Sequence, residues 1–332
     1  MFAGQVVKKH PTVSVISDSE NGGKALAEIK NAFNTIGISY RIGSVSGQMS
    51  QKSARNPLQE CIRSNQGDIC IAVAESPSFP DMVAKLTDVP VIVVPVGGKT
   101  PADAMQSMIS IGSKFPTVVM SGDNGEHAAL FAALILRRLE NTLSVINILV
   151  KTDNKRQMQI ATEMKEILEK LGVLSEIEIV SDRRAVENGH VAVNIILEDV
   201  RKAKRGPKVP SGINKADVDY HQGIAGVNYK IPSILVPCTE RPLSARNSSA
   251  FTQELIGRIR PNGVPVGIMG FNGSENAALF AAHVLAMRNG NLREGLNLLL
   301  RPELVPNRQN EGHILPPGFY AAGGRGVGVS RK

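Results

Sequence analysis

The chain has 332 residues, a formal net charge of +8 and 42% hydrophobic residues, and this length suits two domains of ordinary size. Aromatic residues are scarce and Trp is absent, so aliphatic cores fit an α/β protein better than a β-sandwich. The positive charge is not gathered into long arms, so it permits an anionic ligand such as a phosphate ester without demanding nucleic acid. Cys61, Cys70 and Cys238 lie far apart without CxxC spacing, as buried reduced thiols of a cytosolic protein would. No apolar run reaches the roughly 18 residues of a membrane span, and the opening MFAGQVVKKH lacks the apolar core of a signal peptide. A cytoplasmic protein without membrane contact is the expectation.

In chain order, Val13 to Ile16 is a β-branched run that ends at the turn-forming string SDSENGG. Lys24 to Ile36 carries Ala25, Ile29, Ala32, Phe33 and Ile36 at helical spacing, with Gly37 placed to end the helix. Tyr40 to Val45 reads as a strand, Ser46 to Gln51 as a loop, Ala54 to Asn65 as a helix and Ile69 to Val73 as a strand. After the loop AESPSFP come a short helix (Asp81 to Leu86), a strand (Pro90 to Val94), a helix (Ala102 to Ile111) and a strand (Thr117 to Met120). A helix containing AALFAA, Ala128 to Ala133, closes the unit. Strands alternating with helices imply right-handed crossovers and a parallel sheet.

The order then repeats. Strands are expected at Val145 to Val150, Ile177 to Val180, Val191 to Leu197, Ile231 to Val236 and Val264 to Met269. Helices are expected over Met158 to Leu171, ending at Gly172, and over Ser248 to Ile259. The string AALFAA returns at Ala277 to Ala282, and Pro116 and Met120 before the first copy match Pro265 and Met269 before the second. One strand–loop–helix unit used twice points to a duplication of the whole chain. An almost wholly apolar or small helix is one buried on most sides, against a sheet and against a second subunit. The halves differ at an insertion, residues 198–219, containing RKAKRGPK (Arg201 to Lys208), five basic residues in eight. The Pro/Gly-rich stretch 301–332 reads as an extension outside the core.

Three strings carry a family resemblance: PDMVAKLTDVPVIVVPV (Pro80 to Val96), PTVVMSGDNGEHAALFAALIL (Pro116 to Leu136) and PVGIMGFNGSENAALFAAHVL (Pro265 to Leu285). They resemble the PurE family, the aminoimidazole ribonucleotide carboxylases and carboxyaminoimidazole ribonucleotide mutases of purine (IMP) biosynthesis. The resemblance covers about residues 12–140 and 144–300. It implies two tandem flavodoxin-like, three-layer domains with parallel sheets, and ligands at the C-terminal ends of the strands. It also implies a phosphoribosyl aminoimidazole-type small molecule as ligand, no metal or organic cofactor, and carbon–carbon lyase or carboxylate-transfer chemistry. Because the family is usually an octamer of single domains, it implies a homo-oligomer of about four tandem chains.

What the resemblance implies for the site falls on three loops. The family's first loop cradles the ribose phosphate at a helix N-terminus. Its first-half counterpart, Asp18 to Gly22, keeps only Ser19, and Glu20 adds a repelling charge. The second-half counterpart offers Asn154 with Lys155 and Arg156, a point charge and a fork that suit phosphate. The family's second loop, Ser-Ala-His-Arg, has Ser46 but neither His nor Arg in the first half; the second half has Ser181, Arg183 and Arg184. The third loop carries the family's proton-transferring His. The first half has Ser78-Phe79-Pro80-Asp81 there, and the second has His221 one residue out of register. General acid–base work needs a group that titrates near neutrality, so His221 is the catalytic candidate. Substrate binding is expected from Asn154, Arg156, Ser181, Arg183 and Arg184, and more weakly from Ser19 and Ser46. A site shared between the halves is a further possibility.

Other motifs carry less. GGKT (Gly97 to Thr100) has Val93 where a Walker loop needs its first Gly, so a turn before a helix is the better reading. The six histidines show no metal-ligand spacing, and His127 and His283 read as packed or interfacial. The basic insertion lacks the interleaved aromatics of a nucleic-acid surface. Two functions remain open: a PurE-type phosphoribosylaminoimidazole carboxylase-like protein, or a non-catalytic relative that binds a phosphorylated metabolite or serves as an assembly scaffold.

Overall fold

A computed structural model describes residues 11–18, 22–45, 51–110, 115–122, 124–140, 145–151, 155–180, 190–199, 230–239, 252, 255 and 265–301. In the first half the order is β1 (Thr12–Ser17), α1 (Gly23–Ile36), β2 (Ser39–Ser44), α2 (Gln51–Ser64) and β3 (Ile69–Ala74). There follow α3 (Ser78–Leu86), β4 (Val91–Pro95), α4 (Pro101–Ser110), β5 (Thr117–Val119) and α5 (Gly125–Glu140). The second half has β6 (Val145–Lys151), α6 (Lys155–Lys170), β7 (Leu174–Val180), β8 (Val191–Asp199), β9 (Ser233–Cys238) and β10 (Val266–Ile268). Two helices close it, labelled here α7 (Ser274–Ala286) and α8 (Gly290–Leu300).

All ten strands form one sheet, ordered β2-β1-β3-β4-β5-β10-β9-β8-β6-β7. Each half contributes five parallel strands in the flavodoxin-like order 2-1-3-4-5, as the sequence predicts. The halves meet where β10 pairs antiparallel with β5, Ile268 opposite Val119. The strands of the two halves therefore point in opposite directions. Their C-terminal ends lie at opposite edges of the sheet.

The elements follow from their sequences. Strand residues Val13, Val15, Ile69, Ile71, Val73, Ile92 and Val94 point to one face, where they pack with Ala25, Ile29 and Phe33 of α1 and with α5. Cys70, Ala72, Val91 and Val93 point to the other, beneath α2, α3 and α4. Burial on both faces explains the unbroken apolar runs. Gly37 and Gly172 stand after the helices they were predicted to end, at φ 73° and 70°, and Gly37 N–H donates to the Phe33 carbonyl. At the seam, Gly267 is needed for close approach: a Cβ there would come within 2.2 Å of Val118 Cγ2.

Three details depart from expectation. First, α3 begins at Ser78 and not Asp81, so the first half's counterpart of the third ligand loop is already helical. Pro80 is tolerated there because first-turn amides have no helical acceptor. Second, β8 runs to Asp199, so Glu198 and Asp199 belong to the sheet and not to the insertion. Third, α8 was not expected. Asn289 caps it by accepting from Leu292 N–H at 3.1 Å, and Leu292 and Leu296 are buried in the core that includes α7. Of the predicted helix over Ser248 to Ile259 the structure describes Thr252 and Leu255, both helical and buried; the insertion beyond Asp199 and the tail beyond Arg301 lie outside the described residues.

Two arginines tie the halves together. From α5, Arg138 Nε donates 3.0 Å to the Val191 carbonyl at the start of β8, and burial holds its guanidinium below its ordinary value, with Arg137 adding to the effect. From the end of α8, Arg301 reaches the carbonyl end of α3. It donates to Lys85 O at 3.1 Å, to Ala84 O at 2.5 Å and to Thr87 O. Its guanidinium lies 5.6 Å from the centre of the Phe115 ring.

Candidate ligand ends of the two half-sheets

At the C-terminal edge of the first half, Asp18 follows β1 directly. Its carboxylate accepts from Glu75 N–H at 2.9 Å and from Ser76 N–H at 3.4 Å, both in the turn after β3. Burial raises the Asp18 pKa, the two amide donors oppose that rise, and the Glu75 charge adds to it. Beside the loop where the family resemblance places a phosphate, this half holds the Asp18 carboxylate on two amides of the turn after β3. A phosphate brought there would meet Asp18 and Glu75, both acidic, at close range. Ser19 and Ser46 lie outside the described residues.

The GGKT string follows β4 at the same edge. Gly97 and Gly98 take φ of 79° and 77°, a left-handed turn that suits glycine. Thr100 Oγ accepts from Asp103 N–H at 3.2 Å and donates to Asp103 Oδ2 at 2.8 Å, a capping arrangement at the head of α4 with Pro101 as its first residue. A turn and helix cap account for the string. His127, on the first turn of α5, also lies at this edge and is half-buried, and its N–H donates to Asn124 Oδ1 at 2.9 Å.

The second half has different chemistry at its edge. α6 opens with Lys155, exposed, and Arg156, half-buried, and has no acidic residue in its first turn. Of the candidate residues drawn from the sequence, Arg156 is the one the structure describes, and it sits on a helix N-terminus directly after β6. Asn154, Ser181, Arg183, Arg184 and His221 lie outside the described residues. Two further features belong to this edge. Glu198, 2% exposed, is the next-to-last residue of β8, opposite Pro237, the register place that Ala74 holds opposite Pro95 in the first half. Asn272 sits at φ 55°. It accepts from Thr239 N–H at 2.8 Å and donates to Thr239 Oγ1 at 3.1 Å, which joins the loops after β9 and β10. The signals for both were present in the sequence: a carboxylate near the end of an apolar strand, and the Asn-Gly turn.

The second half is also more polar within its sheet. Asn147 is in register with Asn194, and Asn194 with Ser233; all three side chains are fully buried. Asn147 Nδ2 donates to Glu178 Oε2 at 2.9 Å. The first half has Ser14, Cys70 and Val91 in the same register. Burial pushes the Cys70 thiol up to about 12. None of the three cysteines forms a disulfide; Cys70 and Cys238 are buried as expected and Cys61 is only half-buried. Among the described residues no cluster of His, Cys, Asp and Glu could hold a metal ion, and no helix is long and apolar enough to cross a membrane.

The fold defines a tandem flavodoxin-like α/β protein whose two halves differ in the residues at their C-terminal strand edges. A family model described as AIR carboxylase matches residues 12–146 and again residues 146–301. The chain belongs to the AIR carboxylase family, with two copies of its domain. It is similar to proteins named N5-carboxyaminoimidazole ribonucleotide mutase from three archaea. The Methanocaldococcus jannaschii protein is 29% identical over 126 residues, 37% of this chain and 78% of that protein. The Pyrococcus horikoshii protein is 26% identical over 38% of this chain and 72% of its own length. The Saccharolobus solfataricus protein is 27% identical over 38% and 81%.

Proposed function

We propose that this is a carboxylase-like protein of purine biosynthesis that binds a phosphoribosyl aminoimidazole-type ribonucleotide at the edge of its second half, while the first half serves as frame. One observation carries the reading: the two edges have opposite chemistry at the phosphate position. Asp18 takes the amides of Glu75 and Ser76 in the first half, while Lys155 and Arg156 open α6 in the second. In this reading Arg156 forks onto the ribonucleotide phosphate, assisted by Asn154, Ser181, Arg183 and Arg184, and His221 moves the proton at the carbon that gains or loses carboxylate. About four chains assemble in the cytoplasm, as the family resemblance implies.

A second reading is favoured by the first half itself. One copy of the domain sets a carboxylate, Asp18, beside its phosphate loop, and a chain in which one copy has turned from the substrate can bind without chemistry in the other. Calorimetry with aminoimidazole ribonucleotide, alongside a carboxylation assay with bicarbonate, separates the readings. The first expects binding and product. It expects Arg156→Ala to weaken binding about 10- to 100-fold, the worth of a charge-assisted fork, and Asp18→Asn to leave binding unchanged. Binding without product supports the second reading. Absence of binding, or binding indifferent to Arg156→Ala, overturns the assignment of the edge.

A further inference from the structure

The two AALFAA helices are not covered alike. α5 packs on α1 as α7 packs on α6, but α7 has an extra neighbour, α8. Leu279, Ala282 and His283 of α7 are therefore buried, while Leu130, Ala133 and Leu134, their counterparts on α5, are only half-buried. The first half has no room for its own α8, because only residues 141–144 separate α5 from β6. Above the open stripe lies a groove of about 570 Å3, walled by Ile36 and Ile38 and rimmed by Arg137. Ile36 is 41% exposed. This is a volume in the range of sites that take an apolar guest, about 300–1,000 Å3.

Pro11, the first described residue, also lines this groove, so residues 1–10 continue directly from its wall. They carry Phe2 and Val6, which share a face at helical spacing. Lys8 and Lys9 follow next to Pro11. Ile36 and Gly37, at the carbonyl end of α1, also border the groove, and α1 has no basic residue in its last turn. A helix end of that kind attracts cations. Ten residues reach about 15 Å as a helix, comparable to the 11 residues of α8.

We propose that residues 1–10 dock in this groove, with Phe2 and Val6 on the Leu130/Leu134 stripe and Lys8 and Lys9 at the end of α1. The segment then does for α5 what α8 does for α7. Because the chain lacks Trp, Phe2→Trp in the full-length protein gives a single reporter. The expected result is a blue-shifted emission, shielded from iodide and independent of protein concentration. Adding Leu134→Lys should return the emission to that of an exposed indole with the far-ultraviolet circular dichroism unchanged. Val6→Asp should do the same while leaving every residue of α5 unchanged. An exposed indole in Phe2→Trp alone overturns the proposal, and so does a blue shift that survives Val6→Asp. A blue shift lost on dilution also overturns it and assigns the groove to a second copy of the chain.

Discussion

Arg301 offers the sharpest test of how the halves are held. Its side chain is 3% exposed and donates to three carbonyls at the end of α3, to Asn297 Oδ1 at 2.7 Å and over the Phe115 ring. Hydrogen bonds to a charged group contribute about 1.5–3 kcal/mol each, and a cation over a ring about 0.5–2 kcal/mol. These terms share one side chain and do not add. Breaking such a buried network costs about 3–5 kcal/mol, partly because buried carbonyls lose their donors. Arg301→Ala should therefore lower stability by about 3–5 kcal/mol in urea unfolding followed by circular dichroism. Amide exchange should also quicken in both α8 and the last turn of α3, which belong to different halves. Arg301→Lys should recover less than half, since one ammonium cannot serve three carbonyls and lie flat on a ring. A loss below about 1 kcal/mol, or faster exchange confined to α8, would refute the reasoning.

His283 is buried with its pKa pushed down to about 3, chiefly by burial and further by Arg301 and Arg293. The unfolded chain binds this proton near pH 6.5 and the folded chain does not. Stability is therefore full above about pH 6.5 and falls by about 1.4 kcal/mol per unit as pH drops toward 3, roughly 2 kcal/mol at pH 5. His283→Leu, the residue α5 carries at the matching place, should flatten that slope; an unchanged slope between pH 6.5 and 5 would count against it. Gly267→Val places a side chain against Val118 and Phe131 at the seam and should cost about 1–3 kcal/mol or more, read by thermal unfolding. Asn289→Ala removes the α8 cap and should cost about 1 kcal/mol, with exchange quickening first at the amides of α8.

The frame was legible because periodicity carries it. The spacing of Ala25, Ile29 and Phe33 marks α1's buried face, and the doubled AALFAA string marks the repeat. The antiparallel seam was not legible, because three-residue strands such as TVV and VGI hold no signal of direction. The string Asn289-Gly290-Asn291 looks like a turn and hides a helix whose stability comes from a cap and from packing on α7. At the C-terminal strand edges, the place of Arg156 in the first turn of α6 could be read from its position after β6. The Asp18 contact could not, because Asp18 meets Glu75 and Ser76 only once β1 and β3 lie side by side. Glu198 was lost by assigning it to the insertion, when the pairing of β8 with β9 carries it into the sheet.

The seam between β5 and β10 has a consequence for how the copies diverged. In a dimer of identical subunits every substitution is made twice, so an edge cannot become acidic on one side and basic on the other. Fusing the copies across a single seam freed each from that constraint. Among the described residues the chain is two-ended, with Asp18 and Glu75 toward one edge and Lys155 and Arg156, together with the buried Glu198, at the other. Lateral neighbours lying antiparallel would set unlike poles side by side, whereas parallel neighbours would repel at both ends.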